Sequence, residues 1–151
     1  MSEPRGAVGT AKVLLTVTSF EFFGPILRDY SASHAFNPDW TGHARVHLVW
    51  LLGFMFLSGL ANLYLIWFRR PRDVRNLWLS AGWQGCNLGG FWVAYVLAPS
   101  YQGAITVPGI HTHVFGVDEN VFVFSVLSVI LLIAAFVLAT GTGSEVVDVA
   151  P

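Results

Sequence analysis

Charge is scarce in this chain: 8 lysine and arginine and 9 aspartate and glutamate residues make up 11% of its 151 residues and leave a net charge of −1. A soluble domain carries about a quarter of its residues charged, so that class is excluded. A nucleic-acid partner is excluded as well, because phosphate contacts need a basic surface and the basic residues here are gathered where membrane topology uses them. Cysteine is reduced to Cys86 alone, so there is no disulfide framework. No internal repeat and no low-complexity tract is present.

What remains is apolar: 54% hydrophobic and 15% aromatic residues, with a mean hydropathy of +0.61. These values belong to an integral membrane protein. A bilayer core about 30 Å thick takes roughly 20 helical residues, and four apolar blocks meet that need, at about 9–26, 43–68, 74–97 and 120–139. The expected fold is therefore all-α, one polytopic membrane domain built as a four-transmembrane-helix bundle. Residues 141–151 read as a short, acidic, disordered tail.

The first block is the most interrupted, by Thr16, Thr18, Ser19 and Glu21, with Pro25 behind them. A secretory signal peptide with Arg5 and Lys12 as its basic region is the competing reading, but the apolar stretch is short and no small-residue cleavage site follows closely. Arg69, Arg70, Arg72 and Arg75 flank the second and third blocks, which by the positive-inside rule makes that connection cytoplasmic. Four crossings then place both termini in the cytoplasm, and Leu27–Gly42 and Ala98–Glu119 become outer loops. The membrane is a bacterial cytoplasmic membrane or a eukaryotic endomembrane, crossed several times.

On this topology all five histidines, His34, His43, His47, His111 and His113, lie at the outer face. Glu21 stands about 13 Å up the first helix from Lys12, where an acidic group is a functional candidate by default. The alternative is that the helix breaks before Pro25 and Glu21 snorkels to the interface. Gln84 and Asn87 reach comparable depth, about 13 and 18 Å above Arg75, and serve either as helix-to-helix glue or as ligand contacts. Asn62 reads as glue. Gly82, Cys86 and Gly90, and beside them Gly85 and Gly89, form two small-residue stripes suited to close helix packing within the bundle or in a homodimer.

Residues 33–47 are the densest polar stretch. Asn37-Pro38-Asp39 reads as a turn, and Thr41 or Asp39 can cap the helix that follows. His43 and His47, four apart, project from one face, so two imidazoles can meet one substrate or one metal ion. A metal would need further ligands, for which His34, Asp39, His111, His113, Glu21 and Glu119 are on the same side. The second outer loop, roughly 20 residues long, exceeds what a helix connection needs and reads as a lid or binding loop; within it His111 and His113 face the same way if extended, and Asp118 or Asn120 can cap the last helix.

The stretch Phe36-Asn37-Pro38-Asp39-Trp40-Thr41-Gly42-His43-Ala44-Arg45-Val46-His47 resembles that of small, poorly characterised four-helix membrane proteins of fungi and bacteria. These carry Asn-Pro-x-Trp-Pro-x-His-Ala-Lys/Arg-x-His between their first two helices; Thr41 stands here where proline is usual. The resemblance covers residues 36–47 and the general layout, and implies that Asn37, Trp40, His43, Arg45 and His47 form the defining site. Some of those proteins are labelled acetyltransferases, but nothing in this sequence offers a coenzyme A site, and the resemblance supplies no reaction.

Three functional classes follow. The first is a membrane-embedded acid/base enzyme of isomerase or cyclase type, with Glu21 and His43 or His47 acting on a lipophilic small molecule such as an isoprenoid or a sterol. Asn37, Trp40, Arg45, Trp50, Trp83, Gln84 and Asn87 would bind that substrate, and Phe54, Phe91 and Trp92 would join Trp50 and Trp83 in lining the pocket. The second is a transition-metal or haem protein with His43, His47, His111 and His113 as ligands; the first class requires no cofactor. The third is a small proton-coupled transporter or a non-catalytic accessory subunit.

Overall fold

The computed structural model describes residues 3–71, 73–105 and 112–143, and they are mainly helical. Five helices appear in order: α1 (Glu3–Thr18), α2 (Gly24–Asp29), α3 (Gly42–Leu63), α4 (Val74–Leu97) and α5 (Glu119–Gly143). Gly6–Asp29, Gly42–Phe68 and Glu119–Gly141 are each long and apolar enough to cross a membrane. At 24 residues α4 is also long enough, but Asn76, Ser80, Gln84 and Asn87 make it more polar.

The first apolar block is not one continuous helix. A tight turn over Ser19–Phe22 separates α1 from α2, and Phe23 forms the corner. Pro25 explains the break, because it has no N–H to donate to the Glu21 carbonyl and its ring collides with that group in a regular helix. Gly59 in α3 accommodates the corner, since a Cβ there would overlap the Phe23 ring.

The other boundaries have local causes. Asp39 N–H donates to Asn37 Oδ1 at 2.9 Å, closing the Asn-Pro-Asp turn, and Thr41 Oγ1 accepts from Ala44 N–H at 3.3 Å to cap α3. Beyond Leu63 the helix widens by one residue per turn over Tyr64–Phe68, ending with Arg69 N–H on the Tyr64 carbonyl at 2.9 Å. Asp73 caps α4 through Arg75 N–H, and Asp118 Oδ1 accepts from Asn120 N–H at the start of α5, each at 2.9 Å.

Ahead of α5 the second long loop forms a two-stranded hairpin, β1 (His113–Val114) and β2 (Val117–Asp118), with His113 opposite Asp118. Phe115 and Gly116 both have positive φ, the geometry of a two-residue hairpin turn. At its far end α5 continues past Gly141 to Gly143. Gly141 does not end the helix, because its missing side chain admits Ala7 of α1, with which any Cβ would collide. The remainder of the expected tail, 144–151, lies outside the described residues.

Packing centres on α1 against α5, with α4 beside both. Ala11, Leu15, Leu77, Ala81, Leu88, Leu131, Ala134 and Leu138 fill the space between them. The contacts of Ala7 with Gly141 and of Lys12 with the Trp67 ring, 5.4 Å away, gather the start of α1, the end of α5 and the Arg69–Asp73 connection at one end. α3 is held differently: near that end Ser80 Oγ donates to Asn62 Oδ1 at 2.6 Å, while further along α3 rests on the Ser19–Phe22 turn and α2. A wedge therefore opens between α3 and the α4–α5 pair.

Candidate functional site

The wedge is a cavity of about 1010 Å³. Its walls are largely apolar and aromatic: Leu48, Leu52, Phe54 and Met55 from α3, Trp83 and Phe91 from α4, Phe124 and Leu127 from α5. Phe91 stacks on Phe124 with ring centres 3.9 Å apart, and Trp92 Nε1 donates to Ser128 Oγ at 3.0 Å, which locks the α4–α5 wall. Cys86 and Gly90 line the same space, and a Cβ added at Gly82 or Gly90 would meet nothing within 4 Å. Within one chain, that stripe of small residues makes room for the cavity rather than for a helix; on the neighbouring stripe α5 comes close only at Gly85, through Leu131.

Glu21 enters this cavity from the break in the first helix. Its residue is only 3% exposed, and neither carboxyl oxygen has a hydrogen-bond partner. The Asn87 amide lies close beside it as a marginal donor, short of full hydrogen-bonding geometry, and its buried Nδ2 has no other partner. The break before Pro25 has occurred, but it turns Glu21 into the protein rather than out to the interface. Fewer than a tenth of buried polar groups are left unpaired in folded proteins, so two such neighbours on one cavity wall call for an explanation.

Gln84, three residues from Asn87, is placed differently. It is fully buried, its Nε2 facing the Leu15 carbonyl, Ser19 Oγ and Ser80 Oγ, each at 3.1 Å, while its Oε1 accepts from Thr18 Oγ1. Through Ser80 the chain of bonds continues to Asn62, whose Nδ2 donates to the Ser58 carbonyl at 2.9 Å. Gln84 and Asn62 thus join α1, α3 and α4, and neither lines the cavity.

The cavity rim is charged. Arg28 of α2 pairs with Glu119 of α5 at 2.8 Å, and Thr112 Oγ1 donates to the second Glu119 oxygen. Asp29 and His34 also line the cavity; His34 Nδ1 lies 2.9 Å from Ser33 Oγ and 3.9 Å from Asp29 Oδ1, and its ring meets Trp40 edge-on. In the sequence nothing singles out Arg28 or Asp29, and Glu119 stands only as a candidate further metal ligand. Their one available signal was position, immediately after the apolar block that holds Glu21 and immediately before the last one.

The histidine block falls elsewhere. His43 and His47 are exposed on the first turns of α3, their Nε2 atoms 3.0 Å apart, and His47 lies beside an exposed Trp50; none of the three lines the cavity. Asn37 closes its turn through both side-chain groups, and Arg45 is half-buried with Nε unbonded. His113 is exposed on the hairpin, and His111 lies outside the described residues. Among the described residues no three His, Cys, Asp or Glu side chains gather as a metal site.

No family model, no curated protein and no solved structure matches this chain. Its function therefore has to be argued from the cavity and the groups that face it.

Proposed function

We propose that this chain is a four-span membrane protein with both termini in the cytoplasm, and that it uses the cavity as an acid/base site for a lipophilic small molecule. The apolar faces of α1, α3 and α5 and the length of α4 support four spans, and the arginines between α3 and α4 support the orientation. The observation that carries the functional reading is Glu21, a carboxyl buried in an apolar cavity with both oxygens unbonded. Such a group is costly to maintain for structure alone, and intramembrane carboxyls mark sites of proton transfer.

Double-bond isomerisation is the simplest reaction within its means. The protonated Glu21 carboxyl adds its proton to one alkene carbon, and the carboxylate left behind removes a proton from the carbon on the far side of the resulting cation, on the same face, so that the double bond moves and the carboxyl is restored. Atoms and charge balance with one group and no cofactor. Exclusion of water by the aromatic walls keeps the cation from being hydrated, and the carboxyl proton is renewed from solvent between turnovers, when the cavity is empty. His34, which among the described histidines lines the cavity, is better placed to assist than His43 or His47.

Incubation of the purified protein with lipid extracts in D2O tests this, with mass spectrometry reading deuterium uptake into each lipid. Uptake by one lipid class with wild type and its loss in Glu21→Gln is the expected result. No uptake in any class, with folded protein, would sink the enzyme reading and leave the transporter or accessory role. The metal reading keeps one observation in its favour, the convergence of the His43 and His47 nitrogens.

A further inference from the structure

The two orphaned groups define the chemistry of what occupies the cavity. Asn87 Nδ2 can only donate, whereas the Glu21 carboxyl accepts at both oxygens when ionised and both donates and accepts when protonated. A partner that satisfies both must accept from the amide and also exchange a hydrogen bond with the carboxyl. A hydroxyl does so in either state of Glu21. An ether or ketone oxygen offers no hydrogen to an ionised carboxylate, and a hydrocarbon leaves both groups bare. Around this pair the walls are apolar, and the volume of about 1010 Å³ lies at the upper end of small-molecule pockets, enough for a terpenoid or a sterol.

We infer that the cavity binds a lipophilic alcohol, with its hydroxyl seated between Glu21 and Asn87 and its hydrocarbon body along the aromatic wall of α3, α4 and α5. This rests on the proposed acid/base site and adds the functional group by which that site holds its substrate. Gly90 then has a role: the absence of a side chain at that position leaves room for the hydrocarbon body.

Cys86, the one thiol in the chain and a cavity-lining residue, reports occupancy. The protein in phosphatidylcholine nanodiscs is alkylated with N-ethylmaleimide in the presence of geranylgeraniol or cholesterol, and in parallel with the methyl ether of each. Each variant is read against its own unliganded rate. At least one alcohol should protect Cys86 at about tenfold lower concentration than its ether, the effect of one buried hydrogen bond. Glu21→Met, which leaves only the Asn87 amide to donate to an oxygen that alcohol and ether share, should bring the two close to parity, and Gly90→Phe, which fills open space, should abolish protection by both. Parity in wild type for both skeletons, no protection by either alcohol, or a preference that survives in Glu21→Met would overturn the inference.

The wild-type comparison needs no variant, so a misfolded Glu21→Met leaves it decisive. Hydroxyl preference without deuterium uptake would remove the enzyme reading and keep this one. Deuterium uptake lost in Glu21→Gln, without hydroxyl preference, would do the reverse.

Discussion

Replacing Glu21 by methionine should stabilise the fold, and replacing Gln84 by methionine should weaken it, although both are buried polar residues of similar size in the same bundle. A buried polar group without a partner costs about 1–3 kcal/mol. Glu21 has no fully formed hydrogen bond at either oxygen, and it borders the cavity, which leaves room for a methionine of similar size. Glu21→Met is therefore expected to gain about 1–3 kcal/mol while losing any proton-transfer function, the usual trade between stability and activity. Gln84 uses its two amide hydrogens and its oxygen, three bonds at about 0.6 kcal/mol each between membrane helices, for a loss of about 2 kcal/mol. The loss stops there, because Thr18 and Ser19 keep backbone acceptors and Ser80 keeps Asn62. Unfolding by dodecyl sulfate in mixed micelles, followed by far-UV circular dichroism, measures both. A Glu21→Met protein less stable than wild type by about 1 kcal/mol or more would show that Glu21 is a structural partner, and the functional argument would fall with it.

Gly59→Val should cost about 1–3 kcal/mol because its side chain meets the Phe23 ring, whereas Gly53→Val, in open space, should stay within about 0.5 kcal/mol in the same assay. Arg28→Ala removes a part-exposed ion pair worth about 0.2–1 kcal/mol; it should change stability little but quicken Cys86 alkylation by freeing α2 from α5, and an unchanged rate would argue against a latch there. Metal analysis of purified protein should find less than one equivalent in both wild type and the His43→Ala/His47→Ala double variant, since two imidazoles alone make a weak site. Stoichiometric metal lost in the double variant would instead make the histidine block a ligand set.

Helix positions could be read from the sequence because apolar length and punctuation agree there. The expected 43–68 and 74–97 match α3 with its widened last turn and α4 to within a residue, and Thr41 caps where a cap was expected. The ends of the first and last blocks were less legible. Pro25 signals a break, but the side to which a break turns its neighbours depends on what lies across it, here Gly59 and the Phe23 ring. Gly141 looks like a helix stop in one dimension and is a contact with Ala7 in three. The hairpin at His113–Asp118 depends on a two-residue turn at Phe115-Gly116, and phenylalanine is a poor signal for positive φ.

The site itself was legible only as a set of residue types at a common depth. Gln84 and Asn87 are three apart on one helix and alike in chemistry, so neither spacing nor hydropathy separates them. Their neighbours do: Gln84 faces Leu15, Thr18 and Ser19 where α1 packs tightly, and Asn87 faces the point where α1 has already given way to the break. The same break carries Glu21 away from partners on α1 and into the wedge left by α3. A polar residue inside this bundle thus acts as a tie where helices touch and as a site where they part. His43 and His47 lie beyond the parting helices on the exposed start of α3, and for that reason Glu21 and Asn87 are the residues to perturb first.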